Sequence, residues 1–435
     1  GDLMGRAETL KALRADAAAA RMAGLTLPQG AAWANAARQE ALARVGAMGL
    51  PTKRDEYWKY TDPATLTAGE AADAALFTPD ERPMFDGTDR LRIVFVDGVF
   101  APEMSDDMTG ENLEIERLST AMAKDIHWAK DLYGKLETEG HDPVERPLAA
   151  LNSAFATDGV VIRATGKVSR PVNVSYLHRA IRSDAILHHV IRVDEGADLT
   201  FLENGPAASR LSKVMEVDVA DGGAFHHVRT QGRDHERRAV TGSYARLGAG
   251  STYKSFTLTV NGRLTRNETI ITITGDEAVA HVAGACVGDG KDFHHDDTVF
   301  ITHDAVACES RQVFKKVLRN GATGVFQGKI LVKPGAQKTD GYQISQSLLL
   351  DDDSQFLAKP ELEIYADDVA CSHGSTSGAI DETGLFYLRS RGVPEKEAID
   401  LLTLAFLAEA LAEIEDEALA EDLRERLESW LKRHR

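Results

Sequence analysis

The hydrophobic positions divide the chain into regions of different period. Over residues 5–48 they recur at helical spacing, as at Leu42, Val45 and Met48, in a run rich in Ala, Leu, Arg and Glu that predicts two helices split near Pro28-Gln29-Gly30. Gly49 and Pro51 end the second helix. The charged segment that follows carries Trp58 and Tyr60, an aromatic pair suited to docking this arm onto a core. Leu91–Val96 reads as a strand, Asp97-Gly98 as a hairpin turn and Val99-Phe100 as the return, and 117–138 again carries a helical pattern. The first region, 1–155, is therefore predicted as mainly helical with one β-hairpin.

From Gly159 to about Ala366 short Val-, Ile-, Thr- and Phe-rich segments are separated by Gly- and Asp-containing turns, which predicts a fold of many short strands. Phe256, Leu258 and Val260 point one way and Thr257 and Thr259 the other; Phe326, Ile330 and Val332 alternate in the same sense around Gly328. No fixed repeat emerges, so period alone does not separate a sandwich from an irregular solenoid. After Gly374 the helical pattern returns. Leu385 to Arg391 is a short helix ended by Gly392, and Pro394 precedes the next. Ile399 to Leu411 is apolar on more than one face, and Leu419, Leu423, Leu427 and Trp430 form a stripe. That is more apolar surface than a lone helix pair can bury against itself, so it predicts packing on the β region, a partner protein, or both.

Composition narrows the function. A net charge of −18 opposes a phosphate backbone or an anionic membrane, so neither nucleic acid nor membrane is expected as a partner. The densest basic segment, Arg233 to Arg238, is interrupted by Asp234, His235 and Glu236 and reads as a solvated loop. No apolar run reaches the ~20 residues of a membrane span, and the start does not resemble a signal peptide. Three cysteines, Cys286, Cys308 and Cys371, argue for a reducing compartment, here taken as the cytoplasm.

Catalytic motifs are missing. Gly321 to Lys329 resembles a phosphate loop only superficially, because Ile330 stands where Ser or Thr would hold magnesium, and no nucleophile elbow, zinc-protease helix or dinucleotide fingerprint occurs. The doublets His188-His189, His226-His227 and His294-His295 lie in predicted strands, where neighbours diverge, and read as surface or packing residues rather than chelators. Cys286 with His294, and Cys308 with Glu309, lack a ligand spacing and are read as structural.

One stretch carries candidate chemistry. In KPELEIYADDVACSHG, Lys359 to Gly374, a thiol at Cys371 and an imidazole at His373 stand two residues apart beside Asp367 and Asp368. The first half alternates as a strand; Cys371 and His373 share a face if it continues, or sit at a rim if Gly374 and Gly378 mark a loop, and either way suit outward presentation. Thiolate and neutral imidazole are preferred ligands of zinc and iron–sulfur clusters, but two ligands do not close a four-coordinate site, and by spacing alone the pair reads equally as a small buried Cys and a satisfied His. Asp367 and Asp368 are candidates for turn-making or for second-shell hydrogen bonds to the pair.

This stretch, with LFYLRSRG from Leu385 to Gly392, resembles the SufD family of iron–sulfur cluster assembly proteins. Further agreement lies in Trp58-Lys59-Tyr60, Leu151 to Phe155 with Asp158-Gly159, Phe326 to Lys329 and Gln337 to Tyr342. The resemblance spans nearly the whole chain and is weakest over 65–90 and 100–140. It implies a mainly β fold: a flattened right-handed parallel β-helix over 156–378, flanked by N-terminal and C-terminal helical regions, the latter 379–435. It further implies a non-catalytic scaffold that pairs with a SufB-type paralogue, with Cys371 and His373 completing an iron or nascent cluster site across that interface. A SufC-type ABC ATPase docks on the helical tail, for which the candidates are Tyr387, Arg389, Pro394, Leu402 and Phe406. No cofactor is expected in the isolated chain, no flavin pattern is found, and an isolated chain could form a homodimer. The alternative, a β-helix carbohydrate-active enzyme, requires converging carboxylates and typically secretion, and neither is evident.

Overall fold

The computed structural model describes residues 2–76, 82–140, 144–205 and 208–434. Its centre is a parallel β-solenoid of about seven turns. Successive strands from Val160–Ala164 to Val369–Gly378 alternate between two sheets, and each pairs in parallel with the strand two places on. In-register side chains lie 26 residues apart at Thr241 and Asn267 and 31 apart at Gln312 and Gln343. The coil therefore has no constant period, which is why a repeat search on the sequence finds none.

Both faces of both sheets are covered. Between the sheets lies a core that includes Phe95, Leu187, Phe201, Phe225 and Phe314. The outer face of the nine-stranded sheet is covered by the N-terminal region: helix Pro147–Phe155 and residues 118–136 bury Val190, Val214, Tyr244 and Ile270. The outer face of the ten-stranded sheet carries helices Glu395–Leu411 and Glu417–Arg433, whose Leu407, Leu411, Leu423, Leu427 and Trp430 pack on Val228, Phe256, Ala283 and Val313. The surplus apolar stripe of the tail is thus buried on the β region. Double coverage favours near-continuous apolar strands, and most buried polar residues in them are hydrogen-bonded.

Helices Asp2–Met22 and Ala32–Met48 form as the periodicity predicts. Trp58 is buried with the Arg266 guanidinium 3.7 Å over its ring, so the arm docks as expected. Two expectations need correction. Residues 117–138 form only the short helix Leu118–Met122 and two single 3₁₀ turns, because the segment spreads its apolar residues along the sheet instead of onto one helix face. Residues 233–238 are not a solvated loop: Asp234, Arg237 and Arg238 are buried, and Asp234 accepts a hydrogen bond from His178 at 2.6 Å. The histidine doublets straddle the sheets as strand geometry predicts, and His188-His189 takes the packing role. His188 bonds Glu216 on the outer side and His189 bonds Tyr176 on the inner side, and both are fully buried.

The two ends of the solenoid differ. At the start, the hairpin Leu91–Val96 and Val99–Phe100 caps the ten-stranded sheet, with Leu91–Val96 parallel to Val172–Leu177 and Val99–Phe100 antiparallel outside it. Leu113–Arg117 caps the nine-stranded sheet, antiparallel to Val160–Ala164. At the finish, Gln355–Ile364 and Val369–Gly378 each pair on one side only and are the last strands of their sheets.

Candidate functional site at the open end of the solenoid

The stretch singled out in the sequence forms this open end. Gln355–Ile364 stops at Ile364, residues 365–368 turn, and Val369–Gly378 crosses to the other sheet. Gln337 fastens the turn, with Nε2 donating to Asp367 Oδ1 at 2.9 Å and Oε1 accepting from the Asp368 N–H at 2.8 Å. Among the described residues neither Asp367 nor Asp368 is hydrogen-bonded to Cys371 or His373.

Strand geometry puts Cys371, His373, Ser375 and Ser377 on one face, in register with Gly341, Gln343, Ser345 and Ser347. That face is the inner one. Cys371 packs with Ile330, Val332, Ala336 and Leu362, so the half-buried thiol sits inside the mouth of the coil rather than pointing outward as expected. A Cβ on Gly341 would stand only 3.2 Å from its sulfur, so glycine there makes room for the thiol. Burial raises the Cys371 thiol above its ordinary value, a hydrogen bond to the Gly341 backbone partly opposing this, so it is a thiol near neutral pH. His373 is exposed.

The two terminal edges carry different chemistry. Gln355–Ile364 contains Pro360, which cannot donate to a further strand, and its charged residues are tied down. Lys359 meets Glu56 at 2.8 Å and lies over the Tyr57 ring at 4.2 Å, while Lys329 meets Glu363 at 2.8 Å. Val369–Gly378, of sequence VACSHGSTSG, has no Asp, Glu, Lys or Arg. An uncharged edge of small side chains is a ready template for strand addition.

The tail candidates separate into exposed and packed. Helix Glu382–Ser390 buries no residue and is capped by Asp381, which accepts from the Gly384 N–H at 3.0 Å. Tyr387 is 53% exposed beneath the Arg391 guanidinium, Arg389 pairs loosely with Glu395 at 3.9 Å, and Pro394 is exposed at the cap of the next helix. Leu402 lies against the Gly384 backbone, and Phe406 packs on the core under the Lys315 ammonium, so both are half-buried fold residues. Phe386, 74% exposed, was not singled out from the sequence, although it lies within the LFYLRSRG run.

Elsewhere the titratable groups serve the interior. Lys213 donates to Glu203 at 2.7 and 2.9 Å, and His227 Nε2 lies 2.7 Å from the same carboxylate. Lys316 pairs with Asp297 at 3.0 Å, and Cys286 and Cys308 are buried. Among the described residues no group of three or more His, Cys, Asp or Glu side chains could hold a metal ion, and no helix is long and apolar enough to cross a membrane.

Comparison with known proteins agrees with the family resemblance. Residues 25–174 match the SufBD protein N-terminal region, and residues 177–406 match the SufBD core domain of SUF system FeS cluster assembly. The chain is 28% identical to the iron–sulfur cluster assembly protein SufD of Escherichia coli, over 89% of this chain and 91% of that protein. It is 27% identical to an iron–sulfur cluster assembly SufBD family protein of Synechocystis, over 87% and 86% of the two chains, and 25% identical to SufD of Bacillus subtilis, over 90% and 92%. With the core match alone spanning more than half of its length, the chain belongs to the SufBD family of iron–sulfur cluster assembly proteins, and within it is SufD-like.

Proposed function

We propose that this chain is a non-catalytic scaffold subunit that offers an incomplete ligand set, Cys371 and His373, at a seam shared with a SufB-type paralogue. The observation that carries this reading is the pairing of a thiol and an exposed imidazole on an edge strand without Asp, Glu, Lys or Arg and paired on one side only, at the solenoid end that no further strand caps among the described residues. Strand addition along Val369–Gly378 would extend the ten-stranded sheet into the partner and bring that chain's ligands to the same mouth. The same edge allows two copies of this chain to pair when the paralogue is absent.

The cluster or its iron is cargo. It is held jointly, and a seam that opens can release it, whereas a site closed within one chain would retain it. The force for opening is assigned to a SufC-type ABC ATPase docked on the tail. Phe386 and Tyr387 on helix Glu382–Ser390 are its best contact candidates, since they are exposed while the two helices after them are anchored to the solenoid. A shift of the tail is thereby coupled to the sheet that ends in Cys371 and His373.

The test is co-expression with the paralogue and the ATPase, followed by iron and acid-labile sulfide assay of the purified complex. His373→Ala is expected to lower cluster content while assembly and ATPase docking persist. Unchanged cluster content would remove His373 from the site.

A further inference from the structure

Along their inner face the last two strands of the ten-stranded sheet touch at three of the four positions from Gly341 to Ser347. Cys371 fills the space beside Gly341, Ser345 Oγ lies 2.8 Å from Ser375 Oγ, and Ser347 donates to Ser377 at 3.0 Å. The exception is Gln343 with His373. Gln343 is only 1% exposed, and its Nε2 donates to Gln312 Oε1 at 3.0 Å, yet its Oε1 has no partner among the described residues. In-register neighbours stand ~4.8 Å apart, so Gln343 and His373 are adjacent across the last ladder of the sheet.

Further back in the same column another histidine is closed in the corresponding way. The column runs His227, Ser255, Val282, Gln312, Gln343, His373. His227 Nδ1 lies 2.8 Å from the hydroxyl of its column neighbour Ser255, which leaves Nε2 for the Glu203 carboxylate at 2.7 Å. One ring nitrogen is held by the column and the other serves a charged group.

We propose that Gln343 is the positioning residue for His373: its side-chain carbonyl accepts the Nδ1–H of the imidazole when the partner chain covers the open end, so that Nε2 faces the seam as a neutral ligand. The inference rests on the reading of His373 as a ligand. A metal-bound histidine commonly donates its other N–H to a carbonyl or carboxylate, which fixes both tautomer and ring orientation. The amide can offer its carbonyl to the ring while its N–H is engaged by Gln312. Gln312 holds the amide from behind, so the arrangement is set before any partner arrives.

The experiment uses the co-expressed complex with its paralogue and ATPase, titrated anaerobically with ferrous iron alone. Gln343→Met, unbranched and of similar length, and Gln343→Leu are each expected to weaken iron binding by about 10–100-fold, while Gln343→Glu, which keeps an acceptor at the same reach, stays within about threefold of wild type. Gln312→Leu, one rung deeper, is expected to leave binding within about threefold, because the acceptor beside His373 remains. In a His373→Ala background Gln343→Met is expected to add no further loss. Wild-type binding by Gln343→Met, equal losses in Gln312→Leu and Gln343→Met, or a further loss in the His373→Ala background would each overturn the assignment of Gln343. If His373→Ala itself binds iron normally, the ligand reading fails and this inference with it. If His373→Ala loses binding and Gln343→Met does not, only the role of Gln343 fails.

Discussion

Lowering the pH from 6.5 toward 4 is expected to destabilise the solenoid steeply, because histidines in and around its core are held neutral. Burial pushes His189 down to about 3, and His227 and His303 down to about 4, from an ordinary 6.5. Between those values and 6.5 the unfolded chain binds nearly one more proton at each of the three rings than the folded chain, so stability is full above 6.5 and is lost as the pH falls. Glu137 acts in the opposite sense: burial raises its carboxyl to about 7, and the folded chain keeps a proton there that the unfolded chain has released. Burial also holds His295 well below its ordinary value and raises Asp297 above its own, two shifts of opposite sense. Together His189, His227, His303 and Glu137 take up about two protons on unfolding, a slope of roughly 2.7 kcal/mol per pH unit. His303 allows one of these to be removed with little else disturbed, since its Nε2 lies 2.7 Å from the Ser310 hydroxyl and its Nδ1 has no partner among the described residues. His303→Gln is expected to cut the slope by about one proton, to roughly 1.4 kcal/mol per pH unit. Urea midpoints followed by circular dichroism between pH 6.5 and 4.5, at constant m, measure it. A variant slope equal to that of the wild type, or a wild-type stability that does not fall across this range, would refute the reasoning.

Three further outcomes test the packing and the exposed sites. Lys213→Met strands the Glu203 carboxylate in the core and is expected to cost about 3–5 kcal/mol, with most of the loss recovered in the double variant Lys213→Met/Glu203→Gln, both read from urea midpoints. Leu423→Ala removes a fully buried contact between the tail and the sheet and is expected to cost about 2–5 kcal/mol. Hydrogen exchange should then accelerate across Glu417–Arg433 and not in Asp184–Val193. Phe386→Glu and Tyr387→Glu are expected to abolish capture of the ATPase with the thermal midpoint unchanged, whereas retained capture would move the dock off that helix. These are cleaner probes than Leu402 or Phe406, whose replacement by charged residues would disturb the packing of the tail itself.

The sequence made the helices legible because each presents one period to one surface. The 117–138 segment misled because its apolar residues serve a sheet lying beneath an irregular chain. The solenoid was harder to read than its strands. Thr241 finds Asn267 26 residues on and Gln312 finds Gln343 31 residues on, so drift in turn length erases a fixed repeat even though each turn does the same work. Buried ion pairs were invisible for a related reason. Lys213 and Glu203 are only ten residues apart, yet they lie on strands of opposite sheets, and only the crossing of the chain brings their side chains into one interior.

The same geometry explains what was and was not visible of the candidate site. Cys371 and His373 stand out in the sequence because both ligand types fall in one short stretch, whereas Gln343 lies thirty residues earlier and becomes their neighbour only through register. Nor does the sequence mark the asymmetry that gives the pair its meaning. Pro360 and the Lys359 clamp blunt one terminal edge, and nine uncharged neighbours leave His373 on an edge open to strand addition. A capped end would have made the same thiol and imidazole a packing detail. At an uncapped end they are available to the shared site proposed above, which a second chain would be needed to close.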